Sequence, residues 1–190
     1  LYKEPRHLAT SRSDLQRDTI EKYIFITARE VGASMLGICR GAQFLTAMNG
    51  GTIIQHCDNH TTDHWMKTSS KQQLWVSSTH HQMMNPFKLL KKEYKLLAWA
   101  YPRLSTEYLN GWNSNIINQM PCEPEVVWYP RTKCLCIQGH PEYMESINLP
   151  PANSLADQYF LAKSINWIDP FVKYSRMLVQ KYLLSEWGYY

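Results

Sequence analysis

No apolar run in these 190 residues approaches the ~20 that a bilayer-crossing helix needs, so neither a transmembrane span nor a membrane partner is expected. No basic start followed by an apolar segment marks a secretory signal. Internal repeats, low-complexity tracts and linker-like stretches are absent, which excludes solenoids and arrays and leaves one domain over 1–190 as the expectation. The five cysteines (Cys39, Cys57, Cys122, Cys134 and Cys136) are odd in number and lack small-scaffold spacing, so a disulfide framework is excluded and a reducing cytoplasm is expected. Basic residues exceed acidic ones only slightly, 20 against 16, and they form no stripe, so no nucleic-acid partner is expected.

Apolar and aromatic residues are plentiful. Hydrophobic residues make up 44% of the chain and aromatics 13%, with 12 Tyr and 7 Trp, enough large side chains to build a substantial core. From Asp14 to Val31 the residues Leu15, Ile20, Ile24, Ala28 and Val31 recur at helical spacing. Ser13 or Asp14 can cap the start of that helix and Gly32 its end. Next, SMLGI at 34–38 reads as a short buried strand, and RGAQFLTAMN at 40–49 as a helix stopped by Gly50 and Gly51.

Further strands are expected at 52–55, 74–78, 95–101, 125–129 and 133–138, and helices at 154–168 and 170–184, the last two separated by Pro170. The stretch HCDNHTTDHWMKTSSKQQ is polar and turn-rich. The expected fold is α/β: a flavodoxin-like three-layer sandwich with a mostly parallel central sheet and an added strand-and-loop excursion.

GICRG at 37–41 parallels the G-x-S-x-G elbow, where a strand turns sharply into a helix and exposes the central side chain. Glycines on both sides of Cys39 remove Cβ atoms that would collide. The helix N-terminus is expected to lower the thiol pKa, and the backbone N–H of Arg40 is the natural first donor to an oxyanion. A cysteine in an apolar strand is also commonly just a small buried hydrophobe, and this stretch alone does not decide between the two.

A second feature decides it. CIQGHPEY at 136–143 ends a strand in His140, Pro141 and Glu142. A cysteine nucleophile needs an imidazole to take its proton and a third group to hold the imidazole, and residues two apart in an extended segment project to the same side. Strand-end cysteine and strand-end histidine in one α/β chain favour catalysis, because ligands collect at the carboxyl ends of strands.

With Cys39, His140 and Glu142 in GICRGAQ- and GHPE-type motifs, the chain resembles the class I glutamine amidotransferase superfamily over Leu1 to Tyr143. The stretches LYKEP, LGICRG, GGT at 50–52 and HHQ at 80–82 look most like its γ-glutamyl-γ-aminobutyrate hydrolase branch. The resemblance implies attack by Cys39 on a γ-glutamyl amide, either glutamine or a γ-glutamyl amine, then hydrolysis of a γ-glutamyl thioester. His140 would act as base and then acid, and Glu142 would orient it. Gln43 and the loop Thr79, His80, His81 and Gln82 would grip the glutamyl group.

The resemblance also implies that no cofactor is needed. Relatives carry a strand, a helix and a Gly-Gly oxyanion donor before the elbow, so one or more N-terminal βα units are expected to be missing. Two other readings stand beside hydrolysis. The first is a glutaminase subunit passing ammonia to a separate synthetase partner; the second is a non-catalytic binding or structural member, and the aromatic SEWGYY end leaves room for a partner or a homo-oligomer.

His56, His60 and His64 repeat every four residues, but the residues between them prefer turns to helix, so they are not read as a metal-binding face and no metal is expected. Cys134 and Cys136 have no second pair to complete a metal or redox motif, and both are expected to pack on one face of their strand. KLLKKEYK at 88–95 reads as a solvated basic face.

Overall fold

In the computed structural model, 8, 10, 11, 14–110, 114, 115, 120–146 and 170–184 are described. The helix expected at 154–168 and the terminal SEWGYY lie outside these residues. Helix α1 (Leu15–Glu30) begins where the Asp14 side chain accepts the Arg17 N–H at 2.9 Å, and it ends at Gly32, whose φ of 71° no β-carbon-bearing residue adopts comfortably. Strand β1 (Met35–Ile38) leads through Cys39 into α2 (Arg40–Met48). Then come β2 (Thr52–Ile54), β3 (His56–Cys57), β4 (His64–Thr68), β5 (Gln73–Val76), β6 (Met83–Asn85) and β7 (Lys95–Ala100). The chain continues with β8 (Tyr108–Asn110), β9 (Ser114–Asn115), β10 (Pro124–Tyr129), β11 (Cys134–Ile137), a 3₁₀ turn over Pro141–Ser146, and α3 (Pro170–Val179), which runs on as a π turn to Leu184.

Six strands form the main sheet in the order β1-β11-β10-β7-β4-β5. The α/β sandwich expected from the sequence is what the chain builds, but the balance of strand directions differs. Within this sheet only β1 and β11 pair in parallel; the other four pairings are antiparallel. For β10–β11 and β4–β5 the reason is local: Tyr129 and Cys134 are joined by a turn too short for a crossover, as are Thr68 and Gln73, and a short connection can only reverse the chain. In these turns Lys133 and Lys71 take positive φ, 52° and 68°.

Alternation along β10 and β11 assigns the two faces. Val127, Tyr129, Cys134 and Cys136 pack toward α2 with Phe44, Leu45 and Phe25 of α1, so the two cysteines do share one face of their strand. Val126, Trp128, Leu135 and Ile137 pack toward α3 with Phe171, Val172 and Leu178. Both strands are buried on both faces, the signature of a central layer.

The excursion is real but smaller than expected. β2–β6 and β3–β8–β9 form two side sheets, whereas β4, hidden within the polar 56–73 stretch, and β5 join the main sheet. The apolar stripe of α1 is a correction: Leu15, Ile20, Ile24 and Val31 face outward, and the buried residues are Asp18 and Phe25. Arg40 explains the rotation, because its guanidinium binds Asp18 Oδ1 at 2.7 Å and Glu21 at 2.6 and 2.7 Å, drawing that side of the helix inward. Among the described residues no helix is long and apolar enough to cross a membrane.

Candidate active site

Two adjacent parallel strands end side by side. Ile38 pairs with Ile137, and one residue further the Cys39 N–H donates to the Ile137 carbonyl at 2.8 Å. Cys39 follows β1 and His140 follows β11, so the parallel register delivers both to one end of the sheet. Cys39 has φ 49° and ψ −110°, a strained conformation for a residue with a Cβ and the mark of a strand-to-helix elbow.

The flanking glycines play unequal parts. A Cβ on Gly37 would lie 2.5 Å from the Gly41 carbonyl oxygen and 2.8 Å from the Ala42 nitrogen, whereas one on Gly41 would meet nothing within 4 Å. Only the first glycine is sterically required.

The thiol pKa is a second correction. Burial pushes Cys39 above its ordinary value, and the charges of Glu142 and Glu125 push the same way; the Arg40 N–H hydrogen bond to the thiol opposes them without prevailing. The thiol stays protonated at neutral pH despite the N-terminus of the nine-residue α2, and the Arg40 N–H donates here to the thiol itself.

His140 Nδ1 lies 2.8 Å from Glu142 Oε1. The two meet across the start of a 3₁₀ turn, His140 just before it and Glu142 inside it, and not by strand alternation, since β11 stops at Ile137. The imidazole is held from two further sides. The Tyr143 ring stacks on it at 4.4 Å between centroids and 7° between planes, and its backbone exchanges hydrogen bonds with Ser77, whose carbonyl accepts the His140 N–H and whose hydroxyl donates to the His140 carbonyl. A Cβ at Gly139 would fall 2.9 Å from the Ser77 oxygen and 3.3 Å from the Phe171 ring, so these groups fill the place of a side chain there.

Gln43 and the HHQ loop come together. Gln43 Nε2 donates to the Gln82 carbonyl at 2.8 Å, and His80 Nδ1 donates to the same oxygen at 2.9 Å. Thr79 is exposed, His81 is half-buried against Ser11 and the His56 ring, and Gln82 is half-buried. His80 turns inward, 3% exposed, and burial foremost depresses its pKa to about 3.

Sequence reasoning missed the cluster behind His80: its ring meets that of His60 and approaches Glu125, and His60 in turn meets the His64 ring and the buried Glu123 carboxylate. Burial works against the Glu125 charge, yet His64 Nε2, at 2.9 Å from its Oε1, holds its carboxyl below the usual range. The only sequence signal was the every-fourth-residue histidine spacing, which loop geometry and not a helix turns into a cluster. His56 leaves that group for His81.

A cavity of about 380 Å³ lies on the other face of β1, walled by Leu36, Ile38, Val172 and Val179. Of the three triad candidates only Glu142 reaches it.

Residues 1–96 match the family model described as Peptidase C26. No curated protein matches the chain in sequence. Among solved structures, a glutamine amidotransferase from Thermotoga maritima superposes with a TM-score of 0.47 at 17% identity, covering 94% of this chain and 73% of its own. A candidate GMP synthase component from Thermoplasma acidophilum gives 0.47 at 15% identity, with 88% and 69% covered. A glutamine amidotransferase from Methylobacillus flagellatus gives 0.44 at 13%, with 70% of this chain and 48% of its own covered.

Proposed function

The chain belongs to the peptidase C26 family, and on that premise we propose that it is a class I glutamine amidotransferase-like cysteine hydrolase that cleaves a γ-glutamyl amide. The observation that carries the reading is the juxtaposition of a strained cysteine elbow after β1 and a carboxylate-held histidine after β11, its parallel partner. The LGICRG, GGT and HHQ stretches favour the γ-glutamyl-γ-aminobutyrate hydrolase type within that class.

The chemistry then runs as follows. With Nδ1 occupied by Glu142, Nε2 of His140 is left to take the Cys39 proton as sulfur attacks the γ-carbonyl carbon. A protonated resting thiol makes this a concerted base-assisted attack, as with a serine nucleophile, and not attack by a preformed thiolate. The oxyanion accepts from the Arg40 N–H. When the C–N bond breaks, His140 returns the proton to the leaving amine or ammonia, and a γ-glutamyl thioester remains. Water attacks the thioester with His140 again as base, which releases glutamate and restores the thiol. Gln43, Thr79, His81 and Gln82 line the glutamyl subsite, with His80 supporting their loop from inside.

A glutamine-analogue diazoketone tests this directly. It should add one equivalent of label, mapped to Cys39 by mass spectrometry and absent from Cys39→Ala. Folded wild-type protein that takes up no label sinks the proposal. Turnover of γ-glutamyl amines by the isolated chain separates hydrolysis from ammonia delivery, which would need an added synthetase partner before glutamine is consumed.

A further inference from the structure

Four buried atoms of the histidine and glutamate cluster are left without a hydrogen-bond partner: His80 Nε2, both ring nitrogens of His60, and Glu125 Oε2. The protons of the two imidazoles can be assigned from what their nitrogens face. His80 Nδ1 faces the Gln82 carbonyl at 2.9 Å, a pure acceptor, so Nδ1 carries the hydrogen and Nε2 presents a bare lone pair.

His60 Nε2 lies 3.4 Å from Glu123 Oε2, an ion-pair distance. Glu123 is held as an acceptor-only carboxylate by the Leu104 and Ser105 N–H groups and the Tyr108 hydroxyl, at 2.7–2.8 Å. The hydrogen of His60 therefore belongs on Nε2, and Nδ1 is bare.

Both bare nitrogens lie close to the Glu125 carboxylate: His60 Nδ1 is 3.6 Å and His80 Nε2 3.9 Å from its Oε1. Lone pairs facing a carboxylate in a dry interior repel one another unless a cation lies between them. A tetrahedral zinc ion, with bonds of about 2.0–2.2 Å, separates its ligand atoms by roughly 3.4 Å. The ligand atoms here all lie within 4.8 Å of one another, so closure needs only a short inward movement.

We propose that His60 Nδ1, His80 Nε2 and a Glu125 oxygen form a binding site for one divalent zinc-like cation, outside the Cys39–His140–Glu142 constellation. The surroundings match what such ligands need. Glu123 backs His60, the Gln82 carbonyl backs His80, and His64 at 2.9 Å orients Glu125. The ion would tie β10 to the loop before β4 and to the Thr79–Gln82 loop, which Gln43 of the elbow helix also grips. Its role is to position that loop; it carries no bond-making step.

Zinc titration of the full chain tests the site in a Cys39→Ser background, where the elbow thiol cannot ligate. One equivalent of Zn²⁺ should bind saturably and raise the melting temperature, while Mg²⁺ should do neither. His60→Gln and His80→Gln, each added to that background, should weaken binding by at least ~10-fold. An absence of one-to-one binding, or affinity unchanged in both variants, overturns the site. Should the variants fail to fold, cobalt substitution of the Cys39→Ser protein decides. Visible d–d bands of a four-coordinate nitrogen and oxygen set support the site, and their absence, or a thiolate-to-cobalt charge-transfer band, refutes it.

Discussion

At Cys39 two local effects compete and burial wins. A helix N-terminus and one N–H donor favour the thiolate, but partial desolvation beside two carboxylates favours the thiol. The sign follows: with the folded pKa above the free-thiol value, the thiolate is scarce at neutral pH and grows as pH rises through that shifted pKa. Alkylation of Cys39 by iodoacetamide, followed by mass spectrometry, should therefore accelerate about tenfold per pH unit across roughly pH 7 to 8.5. A rate already level near pH ~6 would mean a preformed thiolate and would overturn this account of the site. The motif identifies the residue, but its protonation state depends foremost on burial and then on the charges of Glu142 and Glu125, positions that no reading of the GICRG stretch includes.

Among the elements, the β1–α2 elbow separates two glycines that look alike in sequence. Gly37→Ala drives a methyl group into the backbone of Gly41 and Ala42, which cannot move aside, and should cost about 1–3 kcal/mol in urea unfolding together with loss of labelling at Cys39. Gly41→Ala meets open space at a helical position and should be neutral or stabilise by ~0.5–1 kcal/mol. Equal costs for the two would remove the steric argument. The same kind of distinction governs α1. Its 3.6-residue periodicity and its Asp14 cap were legible in the sequence and the helix forms there, but its buried side follows from the Arg40 ion pairs with Asp18 and Glu21, a contact across 19 and 22 residues. An apolar stripe indicates a helix; it does not say which partner that helix meets.

For the molecule as a whole, the two larger cores share their central strands. β10 and β11 bury Val126, Trp128, Leu135 and Ile137 on one face and Val127, Tyr129, Cys134 and Cys136 on the other, so neither layer can melt and leave the other its backing. We therefore propose that the chain is one cooperative domain. Calorimetry should give a single transition whose van't Hoff and calorimetric enthalpies agree, and two resolved transitions would refute it.

The sequence by itself determined α1, the elbow, α2, β2, β5, β7, β10, β11 and α3, and it singled out Cys39, His140 and Glu142. These depend on short-range chemistry: caps, side-chain period, and turn residues within a few positions of one another. Only the tertiary structure decided the mixed strand directions, the outward stripe of α1, the raised thiol pKa and the convergence of His60, His80 and Glu125. Each of those depends on which distant segments share the dry interior, where a neighbouring charge or lone pair counts for several times what it does in water.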